Sequence, residues 1–332
     1  MSAPKQQPII PPIATELLKA ELKEQYLLRK TNRAANLIYT FRGCEMPNVM
    51  RELGRLREEA FRYYGGGSGK EVDIDELDLA PNGYRQLIVW DPVREEIIGG
   101  YRYMLGKEIL FQEGQPRIAS AELFHFTDDF CKEYLPHMIE LGRSFVRTDY
   151  QQARLSPKSI FALDNLWDGL GALCMLYPEY DYFFGKVTVY KEYNRTARDL
   201  IMYYLDTHFQ ASAPLLSALN PPAYTTPAST LRKVITGKDM EADYKKLNSA
   251  VRHLGVNIPP LLNAYMGLTK TMKTFGASVN NSFSDVEEIA ILVPVLAIEE
   301  SKKKRHMDSF IRDIAPFYQR TLKERLLLKL KR

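Results

Sequence analysis

Leucines at Leu17, Leu18 and Leu22, with charges between them, give ATELLKAELKEQYLLRK (Ala14 to Lys30) a helical period. VMRELGRLREEAFRYY (49–64) repeats that period and predicts a second helix, ending at the flexible GGGSG of 65–69. The pattern then shortens. YRQLIVWD (84–91), EIIGGYRYML (96–105) and ASAELFHF (119–126) predict strands, divided by Pro92 and by the Gly114–Pro116 turn. A further strand runs from about Met138 to Arg147 and leads through a loop into a helix, with Ser156 as N-cap and Pro157 as first helical residue. That helix, PKSIFALDNLWDGLGALCMLY, is apolar all round and therefore predicted to be buried.

DYFFGKVTVY (181–190) predicts a strand, and EYNRTARDLIMYYLDTHF (192–209) an amphipathic helix. Pro214 to Ser229 holds four prolines and predicts an ordered excursion or a linker. EADYKKLNSAVRHLG and PPLLNAYMGLTKTM predict helices, and EEIAILVPV (287–295) a late strand. The end, RTLKERLLLKLKR, predicts a basic helix with a leucine face. This order implies one mixed α/β domain spanning 46–298, with a helical insertion at about 210–285. An N-terminal helical extension (1–45) and a basic amphipathic tail (299–332) flank it.

Composition narrows the function classes. With 332 residues, 45% of them hydrophobic, the chain can bury a sizeable core. A net charge of +4 is too mild to imply nucleic acid, and suits an acidic protein partner or an anionic membrane surface. Cys44, Cys131 and Cys174 lie far apart with no CxxC pair, which argues against disulfides and zinc and fits a reducing cytoplasm. MSAPKQQPIIPPIATELL has prolines where a signal peptide needs an unbroken apolar core, and IAILVPVLAI (289–298) is too short to span a bilayer. A cytoplasmic protein, or one peripheral on the inner membrane face, is expected.

Several motifs carry less than they suggest. GGGSGK lacks the glycine and hydroxyl residue of a phosphate loop, having Tyr64 and Glu71 there, and predicts a flexible turn. His125 and Asp129 have a His-x-x-x-Asp spacing, but the alternating SAELFHF around them predicts a partly buried structural histidine on a strand. There is no HExxH or GxSxG, so neither a metal nor a serine nucleophile is expected.

The most informative stretch is IELGRSFVRTDYQQARLSPKSI (139–160), a strand entering a helix through a loop without glycine. Read with RLREEAF (Arg57, Phe61), EVDIDELD (Asp73, Asp75), IIGGYRYML (Gly99, Gly100, Arg102) and SAELFHF (Glu122, Phe124), it resembles the ornithine/glycine-lipid, hemolysin-like N-acyltransferases of the GNAT superfamily. The resemblance continues through Glu140, Gly142 and Arg143, then LDNLWDGL, YDYFFGKVTV with Phe184 and Gly185, IPPLLNAYMGL and SFSDVEEIAILV. It covers roughly residues 50 to 297, and the ordered set is more specific than any single motif. A fainter likeness is to acyl-homoserine-lactone synthases.

The resemblance implies a GNAT-like mixed, mostly antiparallel sheet flanked by helices. It also implies transfer of a 3-hydroxylated fatty acyl group to the α-amine of an amino acid, glycine or ornithine, for aminolipid synthesis. GNAT acetyltransferases wrap a pyrophosphate with loop glycines, which YQQARLSPK lacks. The donor expected is therefore acyl-phosphopantetheine on an acyl carrier protein rather than acyl-CoA. Arg147, Arg154 and Lys158, with the helix start at Ser156, are candidates to hold its phosphate and meet the carrier.

Glu140 is the candidate base or amine-orienting group, with a salt bridge to an arginine such as Arg102 as the bland alternative. Arg143 is the candidate partner of the amino-acid carboxylate or of Glu140, and shares a site with Glu140 only if a bulge interrupts the strand. Arg57, Asp75 and Arg102 are candidates for substrate contacts or for an ion-pair network pinning the early helix to the sheet. A backbone N–H near Phe145 would stabilise the oxyanion, and Phe184 would line an acyl tunnel. Two other readings remain: a homoserine-lactone-type synthase, disfavoured by the Pro-Pro-Leu-Leu segment, and a non-catalytic protein bound to a membrane surface through its basic tail.

Overall fold

Prolines and short polar side chains begin many of the helices, as the sequence pattern requires. The computed structural model describes residues 6–151 and 161–310. Helix α1 (Thr15–Glu21) covers only the first part of the predicted 14–30 helix. The remainder becomes strand β1 (Leu27–Lys30), paired with β2 (Leu37–Arg42) across a turn where Ala34 and Ala35 take positive φ. Sheet pairing overrides helical propensity here, because Arg29 is buried within unit 1 and gains partners there. Helix α2 (Pro47–Tyr63) starts on its proline, and α3 (Glu76–Leu79) on a capping box between Asp75 and Asp78. Strands β3 (Arg85–Asp91) and β4 (Glu96–Leu105) follow the predicted bounds.

A small hairpin, β5 (Phe111–Gln112) and β6 (Gln115–Pro116), comes next. The strand predicted over 119–126 is reduced to β7 (Phe124–Phe126), since Ala119–Glu122 forms a 3-10 turn. His125 on β7 is exposed rather than partly buried. Helix α4 (Asp128–Glu133) is capped by Thr127. Then come β8 (Met138–Val146), α5 (Thr148–Gln151), α6 (Ala162–Leu176), β9 (Tyr182–Val189) and α7 (Arg195–His208), the last capped by Asn194. The proline-rich excursion is ordered, holding β10 (Leu216–Ala218) and leading to α8 (Ala228–Val234). Helices α9 (Met240–His253) and α10 (Pro260–Met266), strands β11 (Lys273–Asn280) and β12 (Val286–Pro294), and helix α11 (Glu300–His306) complete the described chain. The expected helix start at Ser156 and Pro157, and the basic tail beyond Phe310, lie outside the described residues.

The fold is mixed α/β with strands paired antiparallel, and it groups into two compact units, each drawn from separated stretches of sequence. Unit 1 takes residues up to Glu108, 139–181, and those from Glu299. Its sheet runs β1-β2-β3-β4-β8, and α6 packs on β1, β3 and β4. A Cβ added at Gly169 of α6 would lie 2.7 Å from Leu87 of β3, so this glycine sets the helix-to-sheet approach. Unit 2 takes 109–138 and 182–298 and pairs its strands in the order β9-β12-β11. Its core is a cluster of rings: Phe126, Phe130, Phe184 and Phe275, with neighbouring centroids 5.2–6.0 Å apart.

Candidate active site

Strand β8 pairs with β4 from Leu105↔Ile139 to Arg102↔Gly142, and again at Gly100↔Phe145 and Gly99↔Val146. Between these, Tyr101 of β4 faces both Arg143 and Ser144 of β8. This is a bulge, and Arg143 absorbs it by adopting φ +49°. The positive φ falls on the arginine, not on Gly142 before it. A Cβ at Gly99 would stand 2.5 Å from the Phe145 carbonyl oxygen, and one at Gly100 would stand 2.7 Å from that of Leu87. Gly99 is what allows the bulged strand to lie so close, and Gly100 allows the same of β3 on the other side.

The bulge turns Arg143 towards a buried charged cluster. Its Nε lies 2.8 Å from Asp73 Oδ2, off the hydrogen-bond direction, so the contact is ionic. Deeper in, Arg102 Nη1 donates to Asp75 Oδ2 at 2.7 Å and to Asp78 Oδ2 at 3.1 Å. Arg57 Nη1 donates to Asp78 Oδ1 at 3.3 Å, and Gln86 donates to the same oxygen at 2.9 Å. A second arm of Arg57 donates to Gln86. The network joins α2, α3, β3 and β4, with Arg57 and Arg102 at 0% and 1% exposure. Both keep a buried Nε–H without an acceptor among the described residues.

Glu140 sits on β8 at 2% exposure and accepts a hydrogen bond from the Tyr84 hydroxyl. The Arg102 guanidinium lies 4.3 Å over the Tyr84 ring. Glu140, Tyr84, Arg102 and Asp78 thus form one chain of contacts from the strand to the capped turn.

Burial opposes every charge here, and the outcome differs from group to group. At Asp78 burial alone would raise the carboxyl, but Arg102 and Arg57 outweigh it and hold it well below the usual carboxylate range. At Asp73 burial wins and pushes the carboxyl up, against Arg143 and Arg57. Burial also pulls Arg57 down, whereas Asp78 and Asp75 more than offset it for Arg102.

Five of the residues singled out in the sequence therefore meet in unit 1: Arg57, Asp75, Arg102, Glu140 and Arg143. Arg102 engages Asp75 and Asp78, while Asp73, the other member of the acidic pair marked in the sequence, stands against Arg143. Asp78, Tyr84 and Gln86 escaped the sequence reading, although the D-x-x-D spacing of a capping box pointed to Asp78.

Other candidates lie elsewhere. Arg147 binds Asp149 at 2.9 and 3.1 Å and Glu96 at 2.7 Å, so carboxylates already engage its guanidinium. Phe184 packs into the ring cluster of unit 2. Phe145 is buried beside the bulge. Arg154, Ser156 and Lys158 lie outside the described residues. In the GGGSGK turn, the Ser68 and Gly69 N–H groups donate to Glu58 at 2.9 and 2.7 Å, wrapping a carboxylate of the chain itself. Among the described residues no group of three or more His, Cys, Asp or Glu is placed to hold a metal. None of their helices is long and apolar enough to cross a membrane.

Comparison with known proteins bears on what this cluster does. The family model described as an acetyltransferase (GNAT) domain matches residues 56–157, the stretch that carries most of the cluster. A glycine N(alpha)-acyltransferase of Phocaeicola vulgatus is 52% identical over 305 residues, 92% of this chain and 94% of that protein. A glycine N(alpha)-acyltransferase of Bacteroides thetaiotaomicron is 52% identical over 304 residues, 91% and 90% of the two chains. No solved structure matches the chain.

Proposed function

The chain belongs to the glycine N(alpha)-acyltransferase family of the GNAT superfamily and is an N-acyltransferase, and from that premise we propose that it moves a fatty acyl group to the α-amine of glycine. The proposed donor is a 3-hydroxyacyl thioester on the phosphopantetheine arm of an acyl carrier protein, and the product an N-acylglycine destined for an aminolipid. Identity above half, over nine-tenths of the chain, favours glycine over ornithine and disfavours a lactone synthase. The glycine-free YQQARLSPK loop supports a donor without a nucleotide.

One observation carries the chemistry: a buried carboxylate, Glu140, on a bulged strand, held by the hydroxyl of Tyr84, whose ring lies under Arg102. Glycine arrives as an ammonium ion, and its nitrogen must lose a proton before it attacks. In the proposed step Glu140 takes that proton, directly or through water, while Tyr84 fixes its orientation. The amine nitrogen bonds to the thioester carbonyl carbon, and the oxyanion that forms is met by a backbone N–H near Phe145. The tetrahedral nitrogen sheds its second proton and the C–S bond breaks; of the two protons lost, one goes to the departing thiolate and the other to solvent by way of Glu140. The step balances as amide, free thiol and one released proton. Arg143 at the rim of the cluster is the proposed partner of the glycine carboxylate, with Asp73 holding it in place.

Mass spectrometry of lipids from a bacterial host expressing the chain tests the proposal. A new N-acylglycine from the parent protein and none from Glu140→Gln supports it. Equal product from both removes Glu140 as the base. A product carrying another amino acid removes glycine as the acceptor. With purified protein, activity on acyl-CoA and none on acyl carrier protein overturns the donor assignment.

A further inference from the structure

Charge is spread unevenly over unit 2. The unit holds fourteen lysines and arginines and fourteen aspartates and glutamates, so it is neutral as a whole. Six of the cations fall within α8, α9 and the turn between them: Arg232, Lys233, Lys238, Lys245, Lys246 and Arg252. Each is exposed, and none pairs with a carboxylate among the described residues. Elsewhere in the unit Lys132, Lys186, Lys191, Arg195 and Arg198 all meet carboxylates. The three acids of the same stretch are engaged locally. Asp239 caps α9 by accepting from the Ala242 N–H at 2.8 Å, Glu241 pairs with Lys270 at 2.6 Å, and Asp243 is fully buried.

Asp243 also fixes the turn that presents these cations. It accepts from the Thr236 N–H and hydroxyl at 3.0 Å and from the Gly237 N–H at 2.7 Å, and His208 Nε2 of α7 stands 3.0 Å away. The Tyr204 hydroxyl of α7 donates to the Met240 carbonyl at 3.2 Å, so α7 holds the start of α9 as well. Asp243, Leu247 and Val251 form the buried side of α9, which sets Lys245 and Arg252, two turns apart, on its outer side. No large apolar side chain is exposed between Ala228 and His253, and Leu254 just beyond is only 36% exposed. A bilayer interface rewards apolar anchors, whereas an acidic protein asks only for charge. We propose that α8 and α9 form the docking surface for the acidic acyl carrier protein that delivers the thioester. This docking rests on the carrier donor proposed above, and its test separates the two.

Full-length protein is assayed with a 3-hydroxyacyl group loaded on the acyl carrier protein of the expression host, at saturating glycine and at low and high salt. Sedimentation with phosphatidylglycerol vesicles runs alongside. Lys245→Gln, Lys246→Gln and Arg252→Gln should each raise the KM for the carrier about two- to fivefold, as exposed ion pairs allow. The triple variant should lose most of the salt dependence of kcat/KM, while kcat, the KM for glycine and the melting temperature stay those of the parent. Lys191→Gln removes an equal charge from a paired lysine of the same unit and should leave the carrier KM unchanged. A triple variant with the parent's carrier KM and salt dependence overturns the docking surface and leaves the donor in place. A parent that uses acyl-CoA and not the carrier overturns donor and docking surface together. Loss of vesicle binding by the triple variant, with its carrier KM unchanged, assigns the cations to a bilayer and also overturns the proposal.

Discussion

Asp78→Asn preserves shape and removes one charge from the centre of the buried cluster. The carboxylate accepts from Arg57 Nη1 (3.3 Å), Gln86 Nε2 (2.9 Å), Arg102 Nη1 (3.1 Å) and the Asp75 N–H (3.2 Å). An asparagine has one acceptor oxygen for these four donors and must turn its own NH2 towards some of them. Arg57 and Arg102 keep their charges at almost zero exposure, so water does not screen the loss. Removing one partner of a buried ion pair costs about 3–5 kcal/mol, which corresponds to a fall in melting temperature of roughly 6–20 °C. Circular dichroism melts read this directly. Acid titration gives a second readout. Asp78 is depressed in the folded state, so its stabilisation is complete above the unfolded value near pH 3.9 and is lost as pH falls through the folded value. Asp73 is shifted the other way and opposes this trend, since its elevated carboxyl contributes most below the unfolded value and less as pH rises. The variant should therefore lose less stability than the parent on acidification. An Asp78→Asn protein that melts within about 2 °C of the parent would refute the view that this network fixes α2 and α3 to the sheet.

Glu140→Gln should lower N-acylglycine formation by about 10²–10⁴-fold, the usual worth of a positioned base. The folded fraction should stay unchanged, because glutamine can still accept from the Tyr84 hydroxyl. Arg143→Gly should melt higher than Arg143→Ala by about 1 kcal/mol, since only glycine takes φ +49° freely. Both should raise the KM for glycine if the guanidinium meets its carboxylate. Gly99→Ala should weaken both stability and activity by displacing the bulge, because its Cβ would enter the 2.5 Å space before the Phe145 carbonyl. An overpacking cost of about 1–3 kcal/mol is expected in thermal melts.

Long regular elements were legible in the sequence, and partnership was not. Strand β4 kept its predicted bounds to the residue, and α2 and β9 lie within two residues of theirs. Strand β11 passed unnoticed because its run, KTFGASVN, is broken by Gly276 at φ +79° and by a register shift between Thr274 and Ala277. LIYTFR of β2 is short and sits after a turn whose alanines adopt left-handed backbone, which composition does not announce. At the site, Arg57, Arg102, Glu140 and Arg143 stood out as chemistry-bearing residues on elements that had to meet. Which aspartate served which arginine depended on the bulge and on the capped turn, and neither has a one-residue signature. Tyr84 looked like an ordinary aromatic at the start of the YRQLIVWD strand until folding set its hydroxyl against Glu140.

The way unit 1 is assembled has a consequence for synthesis. Its closing contacts join residues near opposite ends of the chain, as in the bond from Arg29 to the His306 carbonyl. A nascent chain leaving the ribosome cannot make them until His306 has been translated, 277 residues after Arg29. All of unit 2 is translated in the meantime, between segments of unit 1. Such high contact order slows folding and leaves α6 and β1 without their C-terminal cover while the chain is tethered. A premature stop shortly before α11 would therefore yield a product with an exposed apolar groove around Ala172, Met175 and Leu28. Quality-control proteases would meet that product as a client, even though every residue of the charged cluster was already in place.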